Sequence, residues 1–306
     1  MTVATRRLGR TGRVISELGF GCGGFWASRW MDDATAIGLV HQAIQLGITV
    51  FDTGHSYGRG RAEIRLGRAL ERFGAARNRL MISTKVGTVR LGRGYAKDFS
   101  PDTVEAQVVE SMDRLGLDRI PLLFLHGPEP AHLSDDLLDT LAAMKGEGAV
   151  DLLGVNGGEH QISAALDTGL FDVIMPFYNP VHRSSEAVIE RAAAAGLGVM
   201  AAGPLARMAA VPPTGSWTSP AAWWYAARHL RDRLAAGDQV RRARRFAFLG
   251  AIPRWSAAQA SLAFTLTNPA VHCAVFGTTS AAHLRENAAT SGRALPDGVL
   301  QRIRAT

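Results

Sequence analysis

Short unbroken apolar runs alternate along this chain with longer stretches in which apolar residues return every three or four positions. The short runs are 18–22, 48–53, 80–86, 122–126, 151–156, 173–179, 198–203 and 271–277, and each predicts a strand. The periodic stretches predict helices over 34–46, 63–73, 161–166, 185–195, 239–249, 281–289 and 297–304. Three more helices open on a capping residue. Ser100, with Pro101 at the first helical position, starts one that runs to about Leu115; Ser134 starts one to about Lys145, and Ser256 one to about Leu266. Residues 6–18 alternate around a Gly/Thr turn and predict a β-hairpin ahead of the first run.

The strand runs are continuously apolar, as expected where both faces of a parallel sheet are covered. Eight of them, each followed by helix, favour a closed (β/α)8 TIM barrel over residues 1–306. The prediction includes the N-terminal β-hairpin and a long loop with helices after the seventh strand. A doubly wound sheet would carry G-x-G-x-x-G after its first strand. Here GFGCGGFW places glycines at 19, 21, 23 and 24, with no helix directly after them.

Composition narrows the function. The chain has 306 residues, 47% hydrophobic and 20% charged, which excludes a disordered or fibrous protein. Its two cysteines, Cys22 and Cys273, cannot build a disulfide framework, and no His/Cys cluster predicts a metal. Of the net charge of +7, +6 sits in residues 228–254, which hold eight arginines and two aspartates. That segment is either an anion-attracting patch or a solvated helix face. No recognition helix, zinc finger or aromatic RNA-binding signature is present, so nucleic acid is not an expected partner. The longest uncharged apolar run, 192–206, has 15 residues broken by three glycines and a proline, short of the roughly 20 a membrane span needs. The N-terminus has arginines but no apolar core, so the cytoplasm is the expected location.

Chemistry collects where strands end, which in a barrel of this kind is where active sites lie. Asp52 ends the second strand and Tyr57 follows it; Lys85 ends the third and His126 the fourth. Each also admits a structural reading: a turn cap, a loop aromatic, a lysine reaching for water, a satisfied core histidine. At successive strand ends they compose a proton donor. An ammonium favours the ionised form of a nearby phenol, a carboxylate keeps that ammonium charged and in place, and an imidazole orients a substrate oxygen. The assembly lacks a reductant, so a hydride-donating cofactor is expected beside it.

RRLGRTGRVISELGFG, FDTGHSYGRGRAEIRLGRAL, ISTKVG, LLFLHGPEP, LLGVNGG, FYNPV, GPLARM and VFGTTSAAHLREN together resemble the aldo-keto reductases over nearly the whole chain, most closely the bacterial sugar-dehydrogenase-like members. The resemblance implies a (β/α)8 barrel whose hairpin closes the bottom. It implies an enzyme that interconverts a carbonyl (aldehyde, ketone or lactone) and an alcohol or lactol with NADP(H), or with NAD(H) as second choice. It assigns Tyr57 as general acid/base, Lys85 as the modulator of its acidity, Asp52 as the lysine's partner and His126 as substrate orienter.

For the cofactor, the resemblance points to Gly21, to Asn156 for the nicotinamide carboxamide, and to Met175 where many members carry glutamine. Ala202 stands where an aromatic often stacks. Gly203, Pro204, Leu205 and Arg207 match a loop over the pyrophosphate, Arg207 being otherwise a surface arginine. Gly277, Thr278, Thr279, His283 and Asn287 match the adenosine-phosphate site. Gly277 and His283 replace the family's 2′-phosphate lysine and arginine, leaving Arg285 as substitute or as a solvent-facing side chain. Residues 204–238, with Trp217, Trp223, Trp224 and Tyr225, join Phe25 and Trp26 as an expected aromatic substrate wall; Trp223 and Trp224 alternatively pack a helix on the barrel. Two other functions remain open from the residues: a Schiff-base lyase acting through Lys85, and a binding protein that kept the fold and lost turnover.

Overall fold

The computed structural model describes residues 2–92, 94–205, 223 and 242–306. Eight parallel strands close into a barrel: β3 (Leu18–Gly21), β4 (Val50–Asp52), β5 (Met81–Val86), β8 (Leu122–His126), β9 (Leu153–Gly157), β10 (Val173–Pro176), β11 (Gly198–Ala202) and β12 (Cys273–Phe276), which pairs back onto β3. The helices between them are α1 (Asp33–Gln45), α2 (Arg61–Glu71), α3 (Pro101–Leu115), α4 (Asp135–Gly146), α5 (Glu159–Asp167), α6 (Glu186–Ala194), α7 (Ala257–Thr267) and α8 (Ala281–Ala288), with α9 (Val299–Ala305) closing the chain. The predicted barrel is therefore present. The expected helix over 239–249 lies partly outside the described residues; within them, 242–245 are helical and Ala247–Ala251 form a 3-10 turn. Arg207, Trp217, Trp224 and Tyr225 lie outside the described residues.

Alternation along the strands sorts side chains into two cores. Phe51, Ile82, Leu123, Ile174 and Val199 point outward and bury against the helices. Val50, Met81, Leu122, Phe124, Val173 and Met200 fill the barrel interior. The predicted hairpin, β1 (Thr5–Arg7) with β2 (Val14–Ser16), plugs the lower mouth: Leu8 and Ile15 are fully buried in that interior cluster. Gly9 lets it sit there. Its φ is +50°, and a Cβ would meet the Gly196 carbonyl oxygen at 2.5 Å.

Two local expectations need correction. Ser100 occupies the N-cap of α3, but its hydroxyl does not cap the helix; it donates to Asp98 at 2.8 Å. The stretch after β5, for which the sequence predicted no element, forms a second antiparallel hairpin, β6 (Thr88–Leu91) with β7 (Gly94–Lys97). Its strands are too short for their alternation to register against the helix that follows.

Candidate active site

The interior stripes of the strands change character at their C-terminal ends. Two residues beyond Val50 stands Asp52; four beyond Met81 stands Lys85; two beyond Phe124 stands His126. The side-chain period of two that builds the core therefore also aims these groups inward, as its top layer. Lys85 is 2% exposed. Its Nζ donates to both Asp52 oxygens at 2.5 Å and to the Thr53 carbonyl at 2.7 Å. Burial alone would strip its proton; Asp52 and the charge on Tyr57 outweigh that and hold its pKa above the usual lysine value. Ser83, also facing inward, donates to Asp52 at 2.7 Å.

Tyr57 arrives from the turn after β4. The Lys85 Nζ lies 5.4 Å from its ring centroid, and the His126 ring meets it edge-on at 5.7 Å. Gly23 and Gly54 flank the phenol, and a Cβ at either would stand 3.2 Å from it. His126 is held neutral, its pKa pushed down to about 3 by burial and then by the charges of Lys85 and Lys97. Thr88 Oγ1 lies 3.2 Å from its Nδ1.

All four groups predicted at strand ends thus meet in one cavity of about 420 Å³. Gly21, Asn156, Met175, Gly203, Gly277, Thr278 and Thr279 line it as expected, and so does Trp26. Phe25 does not: it is buried in the outer core, where Trp26 is buried as well. Pro204 and Leu205 sit beyond the cavity wall; the Pro204 carbonyl accepts from Ser261, and Leu205 packs on the core. In α8, Asn287 is 2% exposed while His283 is an exposed residue, and neither lines the cavity. Trp223 is 62% exposed and is likewise absent from the lining.

Sequence reasoning missed four contributors: Ser83, Thr88, Lys97 and Phe177. Phe177 is half exposed, lines the cavity and pairs with Ala202 across neighbouring strands. An aromatic face therefore stands beside the position where Ala202 offers none.

The residues present fit a nicotinamide group. Gly21 and Gly277 bring bare backbone together, since a Cβ on Gly277 would come within 3.2 Å of the Gly21 carbonyl oxygen. Asn156 donates its Nδ2 to the Met175 carbonyl at 2.8 Å, which leaves Oδ1 to accept from a carboxamide at the cavity surface. Phe177 supplies an apolar wall. The lysine chemistry does not fit a Schiff base, which needs a free, readily deprotonated amine; Nζ here is charged and held by three oxygens. Among the described residues no cluster of metal-ligating side chains occurs, and no helix is long and apolar enough to cross a membrane.

These features define a class: a (β/α)8 barrel with a buried ion pair, a phenol and a neutral imidazole around a nicotinamide-sized cavity at the C-terminal rim. The chain belongs to the aldo/keto reductase family, whose model matches residues 17–306. It is 32% identical over 216 residues to the L-galactose dehydrogenase of Arabidopsis thaliana, covering 67% of this chain and 66% of that one. It is 32% identical over 168 residues to a Pseudomonas D-threo-aldose 1-dehydrogenase, covering 47% and 50%. The matches thus span two thirds and one half of those relatives. The holo form of an aldo-keto reductase from Bacillus halodurans has the same fold, with a TM-score of 0.79 over 99% of this chain and 96% of that one, at 24% identity. The protein is accordingly an aldo-keto reductase-type oxidoreductase, working between carbonyl and alcohol with NAD(P)(H).

Proposed function

We propose that Tyr57 is the general acid/base of this reaction and that small aldehydes and aldoses are its substrate class. The observation that carries the reading is the Lys85 ammonium, buried against Asp52 and 5.4 Å from the Tyr57 ring. The bound nicotinamide supplies or accepts the hydride. The chain's own work is on the oxygen. In reduction Tyr57 donates its hydroxyl proton to the carbonyl oxygen as that oxygen gains negative charge; in oxidation its phenolate takes the proton back. Lys85 favours the phenolate, Asp52 fixes Lys85, and neutral His126 orients the substrate oxygen.

For the cofactor, Asn156, Met175 and Gly21 hold the nicotinamide end, Gly203, Pro204, Leu205 and Arg207 the pyrophosphate, and Gly277, Thr278, Thr279, His283 and Asn287 the adenosine end. NADP(H) is the preferred form, with Arg285 as cation for its 2′-phosphate. Trp26 and Phe177 wall the substrate side, and Trp223 and Trp224 belong to the same substrate end. The sugar dehydrogenases among the relatives support an aldose or its lactol as substrate.

Titrating NADPH and NADH against tryptophan fluorescence tests the cofactor half, since Trp26 lines the cavity. Saturable quenching by at least one is expected; no response from either at millimolar concentration overturns it. Tyr57→Phe tests the acid. Carbonyl reduction should fall by about 100-fold or more with cofactor affinity unchanged, and equal rates would remove Tyr57 from the mechanism.

A further inference from the structure

The second hairpin carries a lysine into the site. Lys97 is an exposed residue at the end of β7, yet its Nζ donates to the His126 carbonyl oxygen and, at 3.0 Å, to Thr88 Oγ1. Thr88 in turn faces His126 Nδ1 at 3.2 Å and is 9% exposed. We propose that Lys97 and Thr88 act as a positioning relay that sets the tautomer of His126, placing its ring proton on Nε2 as the donor to a substrate oxygen. The inference rests on the reading of His126 as substrate orienter and adds how that role is enforced.

A threonine hydroxyl has one hydrogen to give and two lone pairs to fill. The Lys97 ammonium has no lone pair, so its contact with Thr88 occupies one of the hydroxyl's acceptor sites. The hydroxyl hydrogen must then find an acceptor, and among the described residues the only one in contact is His126 Nδ1. Were Nδ1 itself protonated, it would take the second lone pair and leave a buried hydroxyl hydrogen without a partner, which is costly. The arrangement therefore runs in one direction, Lys97 to Thr88 to Nδ1. The imidazole is neutral, its pKa being depressed to about 3 by burial and by the facing Lys85 and Lys97 charges, so its single ring proton sits on Nε2. His126 lines the cavity beside Tyr57.

That orientation suits the chemistry in both directions. A carbonyl oxygen only accepts, and an alcohol oxygen giving its proton to Tyr57 has lone pairs left to accept. Either way the imidazole must offer N–H rather than a lone pair. With Thr88 changed to valine, or Lys97 to methionine, nothing enforces the choice, and the tautomer presenting a lone pair to the substrate becomes populated.

The test is the tautomer itself, read from two-bond proton–nitrogen spectra of 15N-histidine-labelled protein at neutral pH, with His126→Gln to assign the signal. The parent should show Nε2–H only. Thr88→Val and Lys97→Met should show a mixture, and Lys97→Arg, which keeps the donor, should resemble the parent. The two disrupting variants should also lose about 10-fold or more in kcat/KM for a carbonyl substrate at unchanged cofactor Kd. A parent carrying its proton on Nδ1 overturns the proposal whether or not any variant folds; so do variants that keep pure Nε2–H. The spectra require neither cofactor nor turnover. A protein with the expected tautomer that reduces no carbonyl would refute the proposed reaction, while an active reductase with the opposite tautomer would refute the relay.

Discussion

Acidification should cost this protein stability at one identifiable ring. In the unfolded chain His126 titrates near 6.5, and in the fold it is held down to about 3 by burial first and by Lys85 and Lys97 second. Between those values the unfolded chain binds a proton that the folded one refuses, so stability is complete above about 6.5 and is lost as pH falls towards 3. At about pH 4.5 the unfolded form has gained roughly two pH units of proton binding free energy, or about 2.7 kcal/mol, while the folded form has gained almost none. Urea unfolding of the parent and of His126→Gln, at about pH 7 and about pH 4.5 and one ionic strength, isolates this contribution. Other groups fall in the same window: His272 is depressed by burial and by Arg6, and Asp98 and Glu110 lose hydrogen bonds when protonated. Those losses are common to both proteins and cancel in the difference. The parent should therefore lose about 2–3 kcal/mol more than the variant over this interval. Equal losses would mean that His126 is hydrated or charged in the fold, and the argument for a neutral donor would fail with it.

Three further outcomes follow from the same geometry. Lys85→Met strands the Asp52 carboxylate, 7% exposed, without its cation, and should lower unfolding free energy by about 3–5 kcal/mol in a urea titration; a midpoint like the parent's would contradict the buried pair. Gly23→Ala puts a methyl 3.2 Å from the Tyr57 ring, so kcat should fall about 10-fold or more while thermal stability stays within a few degrees; unchanged kcat would show that the phenol has room to move. Arg285→Ala should weaken NADPH and leave NADH untouched in fluorescence titrations, and equal effects on both would remove Arg285 from the 2′-phosphate site.

The barrel was legible because continuous apolar runs in a chain of this length have few ways to be buried on both faces, and the same period of two carried the reading to Asp52, Lys85 and His126. What stayed hidden depends on distance in space. Phe25 and Trp26 are neighbours with similar chemistry, and no pattern in a single sequence says which of the two borders the cavity; Trp26 does, while its indole is buried in the outer core and donates to the Ala36 carbonyl at 3.2 Å. Phe177 looked like the end of a strand, and only the pairing of β10 beside β11 sets it next to Ala202. Lys97 lies in a short hairpin with no long period, and its partners are nine and 29 residues away.

One cation acts on both titratable rings, and in opposite directions. Against the cost of burial, Asp52 and then Tyr57 raise the lysine's pKa, so charge on Lys85 and charge on Tyr57 favour each other. The same ammonium opposes a proton on His126. The Tyr57 phenol thus stands 5.7 Å from an imidazole that stays neutral down to about pH 3. On the proposed reading, proton traffic with a substrate oxygen has one route, through Tyr57, and the imidazole is left to hold that oxygen without competing for the proton. Asp52 makes this possible at little net charge, because it keeps Lys85 ionised in a buried site. Replacing the pair by a neutral couple of similar size would leave burial to hold His126 neutral but would remove the cation that favours a charged Tyr57, on which the proposed division of labour depends.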